Sequence, residues 1–436
     1  MAKTQLQLPV IQNWSCHNCG GCCREHQIDI TEAEKKRIEH QSWDESRLQH
    51  SGPFIVEVGR NHYRLAHRED GACVFLDDKG LCRIHAEFGE PAKPLACRIY
   101  PYAWHPAGKN RTATSLRFSC PSVVQNLGPA VTQQKSELQN LVSDVLANVD
   151  RDYDPPLIHL TQPHGPQELS WADFHQFIAA LDSSLADQSV HFAVRLMRTL
   201  SWLELVEQSQ FETIREEKLT EYLELITGAS VKAQPDNELP IHRPSRLGRV
   251  LFRLISAQYM RHDTEADRRQ GMSRRLELAS AAFWFTLGAG TVPSLSTSSS
   301  AETAFPLEAP LKDVKFSQLE GEFGGRGGKF DELFARYFRV KIQGLHFCGP
   351  ANFQTSLVDG FRSLALMYPV VLWLARIRCA GRRDNRLQLA DVQASLAVAD
   401  HNFAYSPALG SAGAVKRVAM LSRMKQLTAL VGWYSL

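Results

Sequence analysis

The distribution of cysteine is the feature that most restricts how this chain can fold. Eight of its ten cysteines lie between Cys16 and Cys120, and only Cys348 and Cys379 occur outside that range in the 436 residues. The eight are Cys16, Cys19, Cys22, Cys23, Cys73, Cys82, Cys97 and Cys120. Scattered buried cysteines do not account for this pattern, because the first four fall within residues 16–23.

The first four cysteines have the spacing C-x2-C-x2-C-C, in the segment SCHNCGGCCRE. Three thiolates at this spacing can converge on one centre, and Gly20 and Gly21 tolerate the positive φ that tight ligand loops need. Ferredoxin-type iron–sulfur sites use the same spacing and take a fourth cysteine from elsewhere in the chain. Because neighbouring side chains of extended backbone point to opposite sides, either Cys22 or Cys23 can serve a second site or pack.

The other four cysteines are spaced Cys73-x8-Cys82-x14-Cys97-x22-Cys120, which matches no simple zinc finger built from two C-x2–4-C pairs. We predict all eight thiolates as metal ligands, in two four-cysteine sites or in one site with spare cysteines. Tetrahedral sulfur coordination suits zinc and an iron–sulfur cluster equally well, so spacing leaves the metal open. The nearby nitrogen donors His17, His26 and His85 would favour zinc if one of them replaced a cysteine.

A metal-binding role also follows from the compartment that we expect. The N-terminal segment MAKTQLQLPVIQNW lacks the apolar core and cleavage site of a signal peptide, so a cytoplasmic location is expected. Thiols stay reduced in the cytoplasm, and a dense cysteine cluster there favours metal over disulfides. The most apolar run, Ser363–Ala375, is shorter than the roughly 20 residues needed to cross a bilayer. We therefore predict a buried core helix there and no membrane partner.

The charge of the chain restricts its partners. Lys and Arg number 49 against 47 Asp and Glu, for a net charge of +2. This balance gives no electrostatic basis for binding nucleic acid or an anionic membrane surface. Recognition of another protein is the interaction that we expect.

The pattern of apolar residues predicts a mainly α fold, with a small cysteine-rich metal-binding domain at the N-terminus followed by an all-α helical body. We predict a cysteine-cluster domain over residues 1–125, a helical domain over 126–287, a flexible linker or loop region over 288–329 and a C-terminal helical segment over 330–436. The long Ser/Thr/Pro-rich stretch at 288–313 and the glycine-rich 321–330 are the basis for the linker.

Local signals predict several elements. Thr31 with Glu34, and Ser170 with Asp173, have the spacing of helix capping boxes. Residues 54–65 are expected to form a hairpin that turns at 59–61. Further helices are predicted over 219–226 (ended by Gly228), 276–287, 330–342, 353–377 (kinked or broken at Pro369), 389–400 and 415–433.

The sequence contains no recognisable dinucleotide- or phosphate-binding loop. The segments Gly288–Gly290 and Gly324–Lys329 lack the strand, spacing and polar residues of dinucleotide or phosphate loops, so we interpret them as a helix stop and a connector. His401 and Asn402 follow a helical segment and could face a site, but a capping or surface role is the interpretation that the pattern favours. Catalytic and cofactor-binding residues therefore stay unknown at this level.

The motif order C-x-F-L-D, L-C-x-I-H, G-E, C-x-x-Y-P and S-C-P resembles that of cysteine-cluster proteins that chelate zinc or iron. Within that group it is most similar to the flagellin lysine-N-methylase family. The residues that carry the resemblance are Cys73, Phe75, Leu76, Asp77, Leu81, Cys82, Ile84, His85, Gly89, Glu90, Cys97, Tyr100, Pro101, Ser119, Cys120 and Pro121. The segments YFRVKIQGLHF, LVDGFRSLALMYPVVLWLA and ADHNFAYSP are more weakly similar to the C-terminal helices of that family.

This resemblance implies an iron–sulfur cluster, of the four-iron, four-sulfur type (4Fe–4S), and transfer of a methyl group from S-adenosylmethionine to lysines of a flagellin-like protein. The alternative is a non-enzymatic zinc- or iron-chelating module whose helical body binds a protein partner.

Overall fold

Helices dominate the described part of the chain, and the strands found there lie within residues 5–116, as predicted for a mainly α protein. The computed structural model describes residues 4–146, 154–159, 167–234, 240–263, 271–295, 314–325 and 327–436. Most of the predicted Ser/Thr/Pro-rich linker, residues 296–313, lies outside the described residues.

The N-terminal part contains two three-stranded sheets. The strands are β1 (Gln5–Gln7), β2 (Asp29–Ile30), β3 (Ile55–Gly59), β4 (His62–Leu65), β5 (Tyr102–Pro106) and β6 (Arg111–Leu116). β3 and β4 form the predicted antiparallel hairpin, and β2 pairs with β4. In the second sheet β6 is central, parallel to β1 and antiparallel to β5. Through the pairing of β6 with β1, the segment just before Cys120 lies beside the N-terminal strand.

Short helices separate these strands. They are α1 (Cys22–Glu25), α2 (Glu32–Glu39), α3 (Glu45–Leu48), α4 (Arg83–Phe88), α5 (Leu95–Ile99) and α6 (Pro121–Val124). The capping box predicted at Thr31 is present, with the Glu34 amide donating to the Thr31 hydroxyl and the Glu34 carboxylate accepting from the Thr31 amide.

The body of the molecule is built from the remaining helices. They are α7 (Lys135–Leu146), α8 (Trp171–Ala186), α9 (Phe192–Gln208), α10 (Glu216–Ala233), α11 (Arg246–Met260), α12 (Met272–Leu287), α13 (Gly328–Gln343), α14 (Leu357–Gly381), α15 (Leu389–Asn402), α16 (Pro407–Gly410), α17 (Ala412–Arg423) and α18 (Gln426–Tyr434). Ser170 caps α8 as predicted, by accepting from the Asp173 amide. Gly288, in the left-handed region, ends α12 where the sequence places a stop.

Three predictions about these helices were wrong. α10 continues past Gly228 to Ala233, and the stretch 415–433 is divided into two helices at Lys425, which has a positive φ. α14 runs without a break through Pro369. Burial on all sides of α14 compensates for the hydrogen bond that a proline removes, because packing outweighs local propensity.

α14 is the central helix of the body and packs against α9, α11, α15, α17 and α18. It is also the one described helix that is long and apolar enough to cross a membrane, but 89% of its most apolar window is buried inside the fold. The predicted buried core helix is therefore present.

Two hydrophobic cores result from this arrangement. A small core centred on Trp43, Tyr63 and Phe75 lies under the sheet β2–β4–β3. The large core includes the helices and also the sheet β1–β6–β5, through residues such as Leu116 and Phe118. The cysteine-rich region therefore shares its second sheet with the helical body.

Candidate metal centre

The C-x2-C-x2-C-C run forms a loop that ends in the single-turn helix α1. Asn18 and Gly20 both have positive φ, at 54° and 66°, so the chain reverses twice before Cys22. The Cys23 amide donates to the Gly20 carbonyl (3.1 Å), and the sulfurs of Cys22 and Cys23 are 4.0 Å apart. The positive φ predicted for the two glycines is present at Gly20 but not at Gly21, whose φ is −57°.

A second loop, residues 73–82, lies directly against the first. The Cys73 amide donates to the Cys23 carbonyl at 2.7 Å. At the other end of the loop, Gly80 approaches so closely that a Cβ there would overlap the carbonyl oxygen of Asn18. Gly80 also has a φ of 79°, which favours glycine. Through these two contacts, the backbones of the two cysteine loops touch each other directly.

Four of the eight thiols share one neighbourhood: Cys22, Cys73, Cys82 and Cys97. Burial, with the thiols of Cys82 and Cys22 acting in the same direction, raises the pKa of Cys97 to about 12. Burial also raises the pKa of Cys73, whose thiol lies near the other three. The Lys93 ammonium acts in the opposite direction on Cys82 and Cys97.

This set of donors fits a thiophilic metal. A cluster of buried thiols is costly to ionise without a cation, whereas a bound metal ion deprotonates coordinating thiols outright. Lys93 is the cation that the chain itself places there, and its charge partly offsets that of the thiolates.

Of the remaining thiols, that of Cys19 lies near Cys120 and also near Cys22 and Cys16. Cys16 and Cys19 are exposed on the first loop, and Cys120 is buried at the N-terminus of α6. Burial, with the nearby thiol of Cys19 acting in the same direction, raises the pKa of Cys120 to about 12. Ser15 brings the first loop to this position, because its amide donates to the Leu127 carbonyl (3.0 Å). Cys23, next to Cys22, packs on the small hydrophobic core.

The histidines singled out in the sequence take different positions. His17 and His85 are exposed, and a ring nitrogen of His17 lies 2.9 Å from the Ser15 carbonyl. His26 instead turns toward the helical body, where its ring stacks on that of His401 at 5.4 Å.

His401 corrects the interpretation of a capping or surface residue. Its side chain is 20% exposed and contacts the rings of His26 and His262. Asn402 has a structural role, since its side-chain amide donates to the carbonyls of Tyr259 and Arg261, each at 2.9 Å.

The distances between ligand atoms differ between the histidine–carboxylate set and the thiols. Within the described part of the chain, the one group of three ligand atoms within 4.8 Å of one another comes from Glu25, His26 and His401. No three of the eight thiols come that close. Around a single zinc ion, four thiolates would be about 3.8 Å apart, given a Zn–S bond of about 2.3 Å.

Glu25 was not identified from the sequence, because its partner His401 lies at the other end of the chain. The one signal available was the position of Glu25 and His26 close after the double cysteine, from which only Arg24 separates them.

The fold and the site define a cysteine-rich, thiolate metal-binding domain joined to a helical body. Comparison with known families agrees: residues 15–121 match the model of the family described as "Putative zinc- or iron-chelating domain". The match covers all eight clustered cysteines and does not extend into the longer helices.

One curated relative is "Uncharacterized protein MJ0939" of Methanocaldococcus jannaschii, which is 35% identical over 92 residues. The aligned part is 21% of this chain and 29% of that protein, so the chain spans less than a third of the relative's length. No solved structure matches the chain significantly.

Proposed function

We propose that the N-terminal domain holds an iron–sulfur cluster, of the 4Fe–4S type, on the thiolates of Cys22, Cys73, Cys82 and Cys97. The observation that carries this proposal is the shared neighbourhood of these four thiols: those of Cys22, Cys82 and Cys97 all act on the ionisation of Cys73, and those of Cys22 and Cys82 act on that of Cys97. Four cysteines are the usual ligand set of such a cluster.

The separation of the thiols favours a cluster over a single zinc ion. Each thiolate of a 4Fe–4S cluster binds a different iron, so the four sulfurs stand apart by the width of the cluster. Around zinc they would meet at about 3.8 Å. The absence of any three thiols within 4.8 Å among the described residues supports the wider arrangement.

A bound cluster would supply one-electron redox chemistry or a structural crosslink. The residues of this chain hold and tune it: the loops 16–23 and 73–82 present the thiolates, and Lys93 places a positive charge beside them. Zinc bound by the same thiolates is the alternative, and it would act as a crosslink alone.

Anaerobic purification followed by iron, acid-labile sulfide and zinc analysis tests the proposal. We expect iron and sulfide in equal amounts, with the broad visible absorption of an iron–sulfur chromophore. Colourless protein with stoichiometric zinc, or protein without metal, would overturn the cluster.

We propose, as the activity of the whole chain, methyl transfer from S-adenosylmethionine to lysines of a flagellin-like protein. The support is that the two segments carrying the resemblance to flagellin lysine-N-methylases meet in space. Ser119 of the S-C-P motif donates its amide proton to Asp400 (3.1 Å), and Tyr100 of the C-x-x-Y-P motif is 3.2 Å from Ser119. Asp400 lies in the ADHNFAYSP segment.

The reaction requires an unprotonated amine. The lysine nitrogen forms a bond to the methyl carbon, the carbon–sulfur bond of the sulfonium breaks to give S-adenosylhomocysteine, and a proton leaves the amine. A cytoplasmic location and a protein substrate belong to the same proposal, since the donor is an intracellular metabolite.

The test is incubation of the anaerobic holoprotein with S-adenosylmethionine and flagellin, with peptide mass analysis. Mass increases of one or more methyl groups on lysines, absent when the donor is S-adenosylhomocysteine, are expected. If the holoprotein neither binds the donor nor methylates lysine, the chain is instead a zinc- or iron-chelating module whose helical body binds a protein partner.

A further inference from the structure

A second set of potential metal ligands lies where the cysteine domain meets the helical body. Glu25 and His26 are at the end of α1, and His401 is in the last turn of α15. One ligand atom from each lies within 4.8 Å of the other two, and Nδ1 of His401 is 3.6 Å from Oε2 of Glu25. None of the three is a cysteine, so this set is chemically different from the thiol groups.

The ring nitrogens in this set lack hydrogen bonds. Nε2 of His26 and Nδ1 of His401 are inaccessible to solvent, and neither forms a hydrogen bond with the described residues. The carboxylate of Glu25 is also enclosed, with its side chain 6% exposed. Buried polar atoms without partners are rare in folded proteins because they cost free energy. A cation between them would satisfy both ring nitrogens.

The distances and donor types match those of a metal site. Metal–nitrogen and metal–oxygen bonds of about 2.0–2.2 Å place tetrahedral ligands about 3.4 Å apart. The 3.6 Å between Glu25 and His401 is close to this value. Two imidazoles and one carboxylate bind divalent transition metals with further positions left open for water or another ligand.

The surrounding residues orient these ligands. The ring of Tyr100 packs on His26 at 4.8 Å, and the ring of His262 meets His401 edge-on at 4.7 Å. The neighbouring Asp400 fixes the end of α15, because it is fully buried and paired with Lys341. The set is thus held by both parts of the molecule.

We propose that Glu25, His26 and His401 form a mononuclear site for a divalent transition metal such as iron(II), zinc or manganese(II), separate from the thiolate centre. Two ligands come from the cysteine domain and one from the helical body, so the ion links the two. The charge of the ion exceeds that of the single carboxylate, so its open positions favour water or an anion.

Cobalt(II) is the probe that distinguishes this site from the thiols. Cobalt bound to thiolate shows sulfur-to-metal charge-transfer absorption, whereas cobalt bound to nitrogen and oxygen shows ligand-field bands alone. The holoprotein is treated with a chelator to remove mononuclear ions and then titrated with cobalt(II). We expect ligand-field bands that saturate at one equivalent without new charge transfer.

The variants His401→Gln and Glu25→Gln should each abolish this signal while leaving the iron and sulfide content unchanged. His175→Gln is the matched control, since His175 is a half-buried helical histidine whose Nε2 lies 2.8 Å from the Ala107 carbonyl. It should bind cobalt as the wild-type protein does.

The cobalt titration of the wild-type protein tests the proposed metal site even if a variant fails to fold. Absence of cobalt binding, or cobalt bound with charge transfer only, would overturn the proposal, as would full binding by both variants. Loss of iron and sulfide from the untreated protein would instead count against the thiolate cluster, so the two proposals fail separately.

Discussion

Lys341 of α13 and Asp400 of α15 form an ion pair of 2.8 Å in which both side chains are completely buried. Asp400 also accepts hydrogen bonds from the Tyr337 hydroxyl and the Ser119 amide, each at 3.1 Å. The residue before Cys120 is thereby fixed to the residue before His401. Through the Ser119 amide, this pair joins the cysteine domain to the helical body beside His401.

Removing the charge of Asp400 should therefore destabilise the whole protein. In Asp400→Asn, Lys341 would be left buried without its counter-charge, a change that costs about 3–5 kcal/mol. The free energy of unfolding from a urea titration measures the effect. As a control, Glu32→Gln removes an exposed pair with Lys36 (3.6 Å) and should change that energy by less than about 1 kcal/mol. Equal effects of the two variants would refute the structural role of the buried pair.

The contact between the two cysteine loops can be tested at one glycine. Gly80→Ala places a methyl group against the Asn18 carbonyl and should push the loops apart, so that the purified protein retains much less iron. Gly71→Ala is the control, because Gly71 has almost the same φ (80°) but no atom within 4 Å of the added Cβ. Both variants carry the backbone strain of about 1–2 kcal/mol, and only Gly80→Ala adds the clash. Equal iron per chain in the two variants would show that the loop contact is not needed.

The stability of the protein should fall in acid because of His105 on β5. Burial, together with the charge of Lys341, lowers the pKa of His105 to about 3, against an ordinary value of 6.5. Between these two values the unfolded chain binds a proton that the folded chain does not. The free energy of unfolding should therefore decrease as pH falls below 6.5, by about 1.4 kcal/mol per pH unit for this one group.

The variant His105→Leu should remove that share of the pH dependence. Urea titrations of both proteins between pH 7 and pH 5 measure the slopes, whose difference should grow toward one bound proton as the pH approaches 5. Parallel slopes would mean that His105 is protonated in the folded state as readily as in the unfolded state.

The sequence predicted those parts of the fold that depend on local chemistry. The caps at Thr31 and Ser170 and the stop at Gly288 use side chains or φ values within one turn of the element that they end. The continuation of α14 through Pro369 could not be predicted, because it depends on neighbours that bury the helix on every side.

For the candidate sites, too, local sequence features could be predicted and contacts between distant segments could not. The concentration of cysteines was sufficient to predict a metal-binding domain, since no ordinary core needs eight thiols in so short a segment. Which thiols share a neighbourhood depends on how the loop 73–82 packs on the first loop, and this is not encoded in spacing. The meeting of His26 with His401 depends on docking of the helical body, for which a single sequence provides no signal.

The most direct test of the account is iron and sulfide analysis of single cysteine variants purified anaerobically. Cys22→Ser, Cys73→Ser, Cys82→Ser and Cys97→Ser should each lose most of the iron, the sulfide and the visible absorption. Cys379→Ser is the matched control, because Cys379 is a buried cysteine of α14 remote in sequence from the cluster, and it should retain all three. Full iron and sulfide in any of the four variants would contradict the assignment of these thiolates to one centre.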